Sequence, residues 1–157
     1  MIVTRRLAIL VATVALIGLA NGFPRVSDAQ SPVNTLAGNR LAIHGYDPVA
    51  YFVDRGPREG RSDLTVDHAG AVWRFASEHN RKLFETDPER YVPAFGGYCA
   101  YGVAQGYLVE IDPAAWSVID GRLYLNYDLS VRAAWLTDVE GYIRRATANW
   151  PRLTSPR

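Results

Sequence analysis

One cysteine and three histidines are the side chains here best suited to redox, nucleophilic or soft-metal chemistry. Cys99 is the only thiol and stands within Gly96-Gly97-Tyr98-Cys99-Ala100-Tyr101-Gly102. A lone thiol closes no internal disulfide. It is left as a buried inert side chain, an intermolecular partner, a metal ligand or a redox centre. His44, His68 and His79 are well separated from one another and from Cys99, with no C-x-x-C or H-x-x-x-H pair. Any metal site must therefore be assembled by the fold. His44, beside the Gly45-Tyr46-Asp47 turn, is the best histidine candidate. His68, next to a hairpin turn, and His79, in the first turn of a helix, read as solvent-facing. Asp47 and Asp112 each precede a proline and are turn formers that could also supply a carboxylate. Thiolate chemistry would need help, because a free thiol has a pKa of about 8.5. No residue from Pro93 to Gln105 is charged, so only a distant group such as His44 could lower it. The local signature of a papain-like dyad is absent.

The elements that must position these residues read as an α+β domain of small antiparallel β-hairpins packed against short helices. Ser31 to Asn39 is polar and reads as a flexible arm. From Leu41 to Phe52 apolar residues recur around Gly45 and Asp47-Pro48, which predict a turn between short extended pieces. Asp54 to Asp63 reads as a charged surface loop. Val66-Asp67-His68 and Ala71 to Phe75 flank Ala69-Gly70 as a hairpin, with Trp73 and Phe75 on one face. Ser77 is suited to cap a helix through Asn80, Leu83 and Phe84, and Asp87-Pro88 opens a short turn ending near Tyr91. A second hairpin joins Trp116 to Ile119 and Arg122 to Asn126 across Asp120-Gly121. Ser130 to Leu136 predicts a short helix. Thr137 to Glu140 predicts the capping box of a last helix that Pro151 ends. The aromatic residues Tyr46, Tyr51, Trp73, Tyr98, Tyr101, Trp116 and Tyr124 read as core, with hydroxyls that need partners when buried. No internal repeat shows at 20–50 residues, and the two hairpin-then-helix units share only a coarse similarity.

Arg5 and Arg6 precede an uncharged run from Leu7 to Leu19, too short for a spanning helix and suited to the core of a signal peptide. Ser27-Asp28-Ala29 fits the small-x-small rule, which predicts cleavage after Ala29 and export, with a periplasmic location. Thr4-Arg5-Arg6-Leu7 also resembles a twin-arginine signal. Removing residues 1–29 takes away three arginines and one aspartate, so the formal charge of +1 becomes −1. Neither nucleic acid nor a membrane beyond the leader is called for. The resulting division is a signal peptide at 1–29, an arm at 30–40, one domain at 41–151 and a tail at 152–157.

Several motifs together carry a resemblance. They are Ala42-Ile43-His44-Gly45-Tyr46-Asp47-Pro48-Val49-Ala50-Tyr51-Phe52, Trp73-Arg74-Phe75-Ala76-Ser77, Asp87-Pro88-Glu89-Arg90-Tyr91 and the glycine-rich segment around Cys99. Asp112-Pro113, Asp120 to Asn126 and Asn149-Trp150-Pro151 belong with them. From about Leu41 to Pro151 the chain resembles the exported, single-domain YHS-domain proteins of bacteria. The resemblance implies a small cysteine-containing domain similar to the TRASH-type metal-binding modules found beside heavy-metal-handling proteins, copper pumps included. The exported branch is described as a "(seleno)protein" family. That implies a selenol or thiol at the position of Cys99 and favours redox or soft-metal chemistry. The chain departs from the metal-associated pattern at Phe75-Ala76-Ser77-Glu78-His79, where Phe-Cys-Ser and a second cysteine would be expected. Both cysteines are missing, and only His79 offers a substitute.

The reading that follows is a binding protein for copper(I) or another soft metal ion, with Cys99 as thiolate and His44 and Asp47 as helpers. The alternative is a thiol redox protein in which Cys99 forms a sulfenic acid or a mixed disulfide with a partner protein. As an enzyme it would be a thiol-dependent oxidoreductase. The third reading is a structural or interaction module with an inert cysteine.

Overall fold

Two hairpins and the helices that follow them make up an α+β fold. The computed structural model describes residues 32–36 and 38–155, so the signal peptide expected at 1–29 and its cleavage site lie outside the described residues. Strands β1 (Arg61–His68) and β2 (Ala71–Phe75) pair antiparallel, as do β3 (Asp112–Ile119) and β4 (Arg122–Asn126). Each is closed by two residues with positive φ, Ala69-Gly70 and Asp120-Gly121, the geometry that matches strand twist in a two-residue loop. Both outer strands begin earlier than their apolar alternation suggests. The surface loop expected at Asp54 to Asp63 gives way to β1 at Arg61. An irregularity in each ladder, between Arg61 and Thr65 and between Asp112 and Trp116, explains why the alternation is lost there.

Helices follow each hairpin. Ser77 caps α2 (Glu78–Thr86) by accepting from Asn80 N at 3.1 Å. Asp128 caps α5 (Leu129–Trp135) by accepting from Val131 N at 2.7 Å. A short α1 (Ala50–Val53) precedes the first hairpin, α3 (Pro88–Tyr91) and α4 (Ala100–Gln105) lie between α2 and α5, and α6 (Val139–Thr154) comes last. Four local expectations need correcting. Tyr51 and Phe52 are helical rather than extended, because Asp47 caps the turn that begins after Pro48. The cap of α6 is Asp138, accepting from Gly141 N at 3.0 Å, while Thr137 donates its hydroxyl to Ala134 O. Pro151 lies inside α6, which runs a further turn to Thr154. The segment read as a flexible arm is docked at Val33 and Asn34, which are 2% and 1% exposed.

The fold repeats itself at a spacing just beyond the window in which the sequence shows no repeat. Ala42–Gly45 and Ala94–Gly97 are matching tight turns. Ile43 and His44 have φ of 38° and 59°, and Phe95 and Gly96 have 53° and 59°. Tyr46 N bonds back to Ile43 O at 3.1 Å, and Tyr98 N to Phe95 O at 3.0 Å. The hairpins share register: Val66 faces Trp73 as Ser117 faces Tyr124, and His68 faces Ala71 as Ile119 faces Arg122. The helix caps Ser77 and Asp128 correspond, and so do the aromatic pairs that anchor each helix to its hairpin. Trp73 and Phe84 have ring centroids 5.3 Å apart at 35°, and Tyr124 and Trp135 lie 5.2 Å apart at 35°. In this correspondence Asp47 of the first unit stands where Cys99 stands in the second.

The main core runs through both units, taking Ile43, Tyr51, Trp73 and Phe84 from the first and Cys99, Leu123 and Leu125 from the second. Helix α6 lays Ala146 and Trp150 over Tyr98 and Val103 and so covers α4. The core reading of the aromatic set holds for Tyr51, Trp73, Tyr98 and Tyr124, whereas Tyr46, Tyr101 and Trp116 are partly exposed.

Candidate functional site

Cys99 sits where the second tight turn hands over to α4. Gly96 and Gly97 make that turn possible. Both have positive φ, and a Cβ on Gly97 would lie 2.4 Å from Ile43 Cγ2. The Cys99 backbone donates to Val109 O at 3.3 Å and its carbonyl accepts from Val103 N at 2.9 Å. A bridge to Leu125 sets it beside the end of β4. Its side chain is 1% exposed and forms part of the wall of a cavity of about 190 Å³. Val109 and Val131 line that cavity with Tyr101, and Tyr107 and Tyr127, each about half exposed, form its rim.

Two polar partners hold the sulfur. Gly102 N donates to Sγ at 3.4 Å, and Sγ lies 3.8 Å from Asn126 Oδ1, which also accepts from Tyr101 N at 3.3 Å. Burial pushes the thiol pKa up, and the backbone N–H groups of Gly102, Tyr127 and Tyr101 pull it part of the way back. The net displacement is upward, so the resting group is the neutral thiol. Asn126 is fully buried, and its Nδ2 has no hydrogen-bond partner among the described residues.

The other candidates lie elsewhere. His44 Nε2 is 2.6 Å from Glu110 Oε2, both groups half-buried. Asp47 is fully buried, and four N–H donors saturate its carboxylate. Val49 N and Ala50 N reach Oδ1 at 2.8 and 3.2 Å, and Ala76 N and Asn80 Nδ2 reach Oδ2 at 2.8 and 2.7 Å. An oxygen so occupied with N–H groups has little left to offer a cation. Neither His44 nor Asp47 is among the polar partners of the Cys99 sulfur. His68 packs edge-on against Phe84 with Glu89 3.8 Å from its Nε2, and His79 is exposed on α2. Asp112 accepts from Ala114 N at 2.8 Å as a turn former. Among the described residues no group of three or more His, Cys, Asp or Glu side chains is placed to hold a metal ion. The side chains present around Cys99 thus fit hydrogen bonding to sulfur better than closed soft-metal coordination.

Asn126 and the cavity walls escape the sequence reading. The one available signal was a polar residue ending the apolar Leu123-Tyr124-Leu125 run. Alternation sets it on the side of Arg122, opposite Leu123 and Leu125, so its burial follows only from both faces of β4 being covered at that end. No family model, curated protein or solved structure matches the chain. No described helix is long and apolar enough to cross a membrane.

Proposed function

We propose that the protein acts through Cys99 as a thiol redox protein that meets an external oxidant or a partner thiol. The observation that supports this reading is the setting of the sulfur. It is a buried thiol at an apolar cavity, held by a backbone N–H and by an amide whose second polar atom is unused. N–H donors of this kind favour an anionic sulfur over a neutral one once it forms. The resemblance to exported YHS-domain "(seleno)proteins" agrees with such chemistry at this position.

The test is to trap sulfenic acid on the mature protein with dimedone during peroxide treatment. In parallel, the parent and Cys99→Ser are titrated anaerobically with copper(I) against a competing chelator. Adduct at Cys99 supports the redox reading. Stoichiometric copper binding lost in Cys99→Ser, with no adduct, transfers the function to soft-metal binding through that thiolate. Neither result leaves a structural or interaction module.

A further inference from the structure

The duplicated fold supplies its own reference for the Cys99 site. In the first unit an anion occupies the position, the carboxylate of Asp47, and its donors come from fixed places. Two are the backbone N–H groups of Val49 and Ala50, one is the N–H of Ala76 just after β2, and the fourth is Asn80 Nδ2 on α2. In the second unit the matched backbone positions are Tyr101, Gly102 and Tyr127, and these are the three N–H groups that lower the Cys99 pKa. The matched position for Asn80 is Val131, which has no polar side chain. The second unit instead has Asn126 at the end of β4, fully buried, with Nδ2 unpartnered and Oδ1 3.8 Å from Sγ.

We propose that Cys99 is a site of oxidation to cysteine sulfinate, which the second unit holds as the first unit holds the Asp47 carboxylate. The inference rests on the redox reading above and gives it an end state. A sulfinate has the connectivity of an aspartate carboxylate, with one atom on Cβ bearing two oxygens and a single negative charge. Those oxygens would take the N–H donors of Gly102, Tyr127 and Tyr101, the last released from Asn126 Oδ1 as the amide turns Nδ2 towards the sulfur to gain the acceptor it lacks. The oxidant is a hydroperoxide small enough to enter the cavity. The Cys99 thiolate attacks the distal oxygen of the O–O bond. An S–O bond forms, the O–O bond breaks, and the departing alkoxide or hydroxide takes the proton released by the thiol. Sulfur has then lost two electrons and stands as sulfenic acid. A second hydroperoxide repeats the transfer, releasing a second alcohol or water, and the sulfinic proton is lost to solvent.

The experiment has two arms. Hydrogen peroxide and tert-butyl hydroperoxide are each applied to the folded parent, and Cys99 is followed by intact and peptide mass spectrometry. Separately, Cys99→Asp and Cys99→Ala are compared by urea unfolding. The expected product gains two oxygen atoms and goes no further, and its unfolding midpoint is at or above that of the reduced protein. Cys99→Asp is expected to be at least as stable as Cys99→Ala, because the cradle accepts a carboxylate. A carboxylate buried without donors would instead raise the unfolding constant by well over about tenfold. The inference is overturned by Cys99→Asp that is destabilised to that degree, by oxidation that stops at a sulfenic acid, or by oxidation that runs on to sulfonate. In each of these cases oxidation of the parent at Cys99 keeps the redox reading. No oxygen gained at Cys99 under either peroxide overturns both.

Discussion

Asp47→Asn is expected to be among the most damaging conservative substitutions in the chain. The carboxylate is fully buried and ties the start of α1 to the end of β2 and to α2 through four donors at 2.7–3.2 Å. The amide keeps the shape but replaces one acceptor oxygen with a donor. Whichever oxygen is replaced, two N–H groups then face an N–H₂. Hydrogen bonds to a charged acceptor contribute about 1.5–3 kcal/mol each, so losing two costs about 3–6 kcal/mol. Against a domain stability of about 5–15 kcal/mol this is a large share. Asn80→Ala removes one donor and leaves the carboxylate with three, so it is expected to cost about half as much. Urea unfolding of the parent and both variants measures these differences, with unchanged m-values showing that the midpoints report native-state stability. A loss below about 1 kcal/mol in Asp47→Asn would refute the account of Asp47 as a saturated buried anion, and with it the reference used for Cys99.

Further outcomes can be checked singly. Gly97→Ala forces a side chain into φ of +83° and against Ile43, and is expected to lose about 1–3 kcal/mol in the same assay. Trp73 Nε1 donates to His68 O at 3.1 Å while buried Trp135 Nε1 has no partner among the described residues. Trp73→Phe is therefore expected to cost about 1 kcal/mol more than Trp135→Phe. Because the folded thiol of Cys99 titrates above its ordinary range, its contribution to stability is complete below that range. It is lost as pH rises through the ordinary value toward the raised one. Native-state alkylation by iodoacetamide should accordingly lag a model thiol near neutrality and catch up only in alkaline buffer, and Cys99→Ala should flatten the alkaline limb of stability. The N–H of Val131 and the hydroxyl of Ser130 hold Asp128 below the usual carboxylate range. Its contribution is present above that range and fades as pH falls through the lowered value, so Asp128→Asn should flatten the acid limb of a thermal-shift profile.

The hairpins, the Ser77 cap and the α+β class were legible because each rests on local chemistry: a two-residue turn, alternating aromatics, a hydroxyl before a helix. The tight turns were not, because Ile43, His44 and Phe95 adopt left-handed backbone that their residue types disfavour, and only the packed surroundings hold them there. The duplication hides for a related reason. The units share Ala42 with Ala94, Gly45 with Gly97, Tyr46 with Tyr98 and Gly70 with Gly121, and Thr86, Asp87, Glu89 and Tyr91 recur as Thr137, Asp138, Glu140 and Tyr142. These identities are scattered at two offsets, 52 and 51, while packing lets Trp73 become Tyr124 and Phe84 become Trp135. The role of Asp47 was half visible. Its place before Pro48 marks a turn former, yet two of its four donors come from Ala76 and Asn80, which are remote in sequence. Cys99 drew attention as a lone thiol. Its cradle did not, because backbone N–H groups have no letter in a sequence, and Asn126 becomes part of it only through strand pairing.

Asn34 carries a consequence for how the molecule is made. Its N–H donates to Gly96 O and its side-chain amide to Gly97 O, while its carbonyl accepts from Ile43 N. The first turn is thus pinned by a residue that is itself pinned by the second. A chain synthesised from its N-terminus cannot finish its first half until the second half has emerged, since that contact spans 63 positions. Despite its repeated architecture, the protein should therefore fold and unfold in one step, with neither half persisting alone. A nascent chain that stops before Gly96 would be a substrate for chaperones and proteases rather than a half-sized domain.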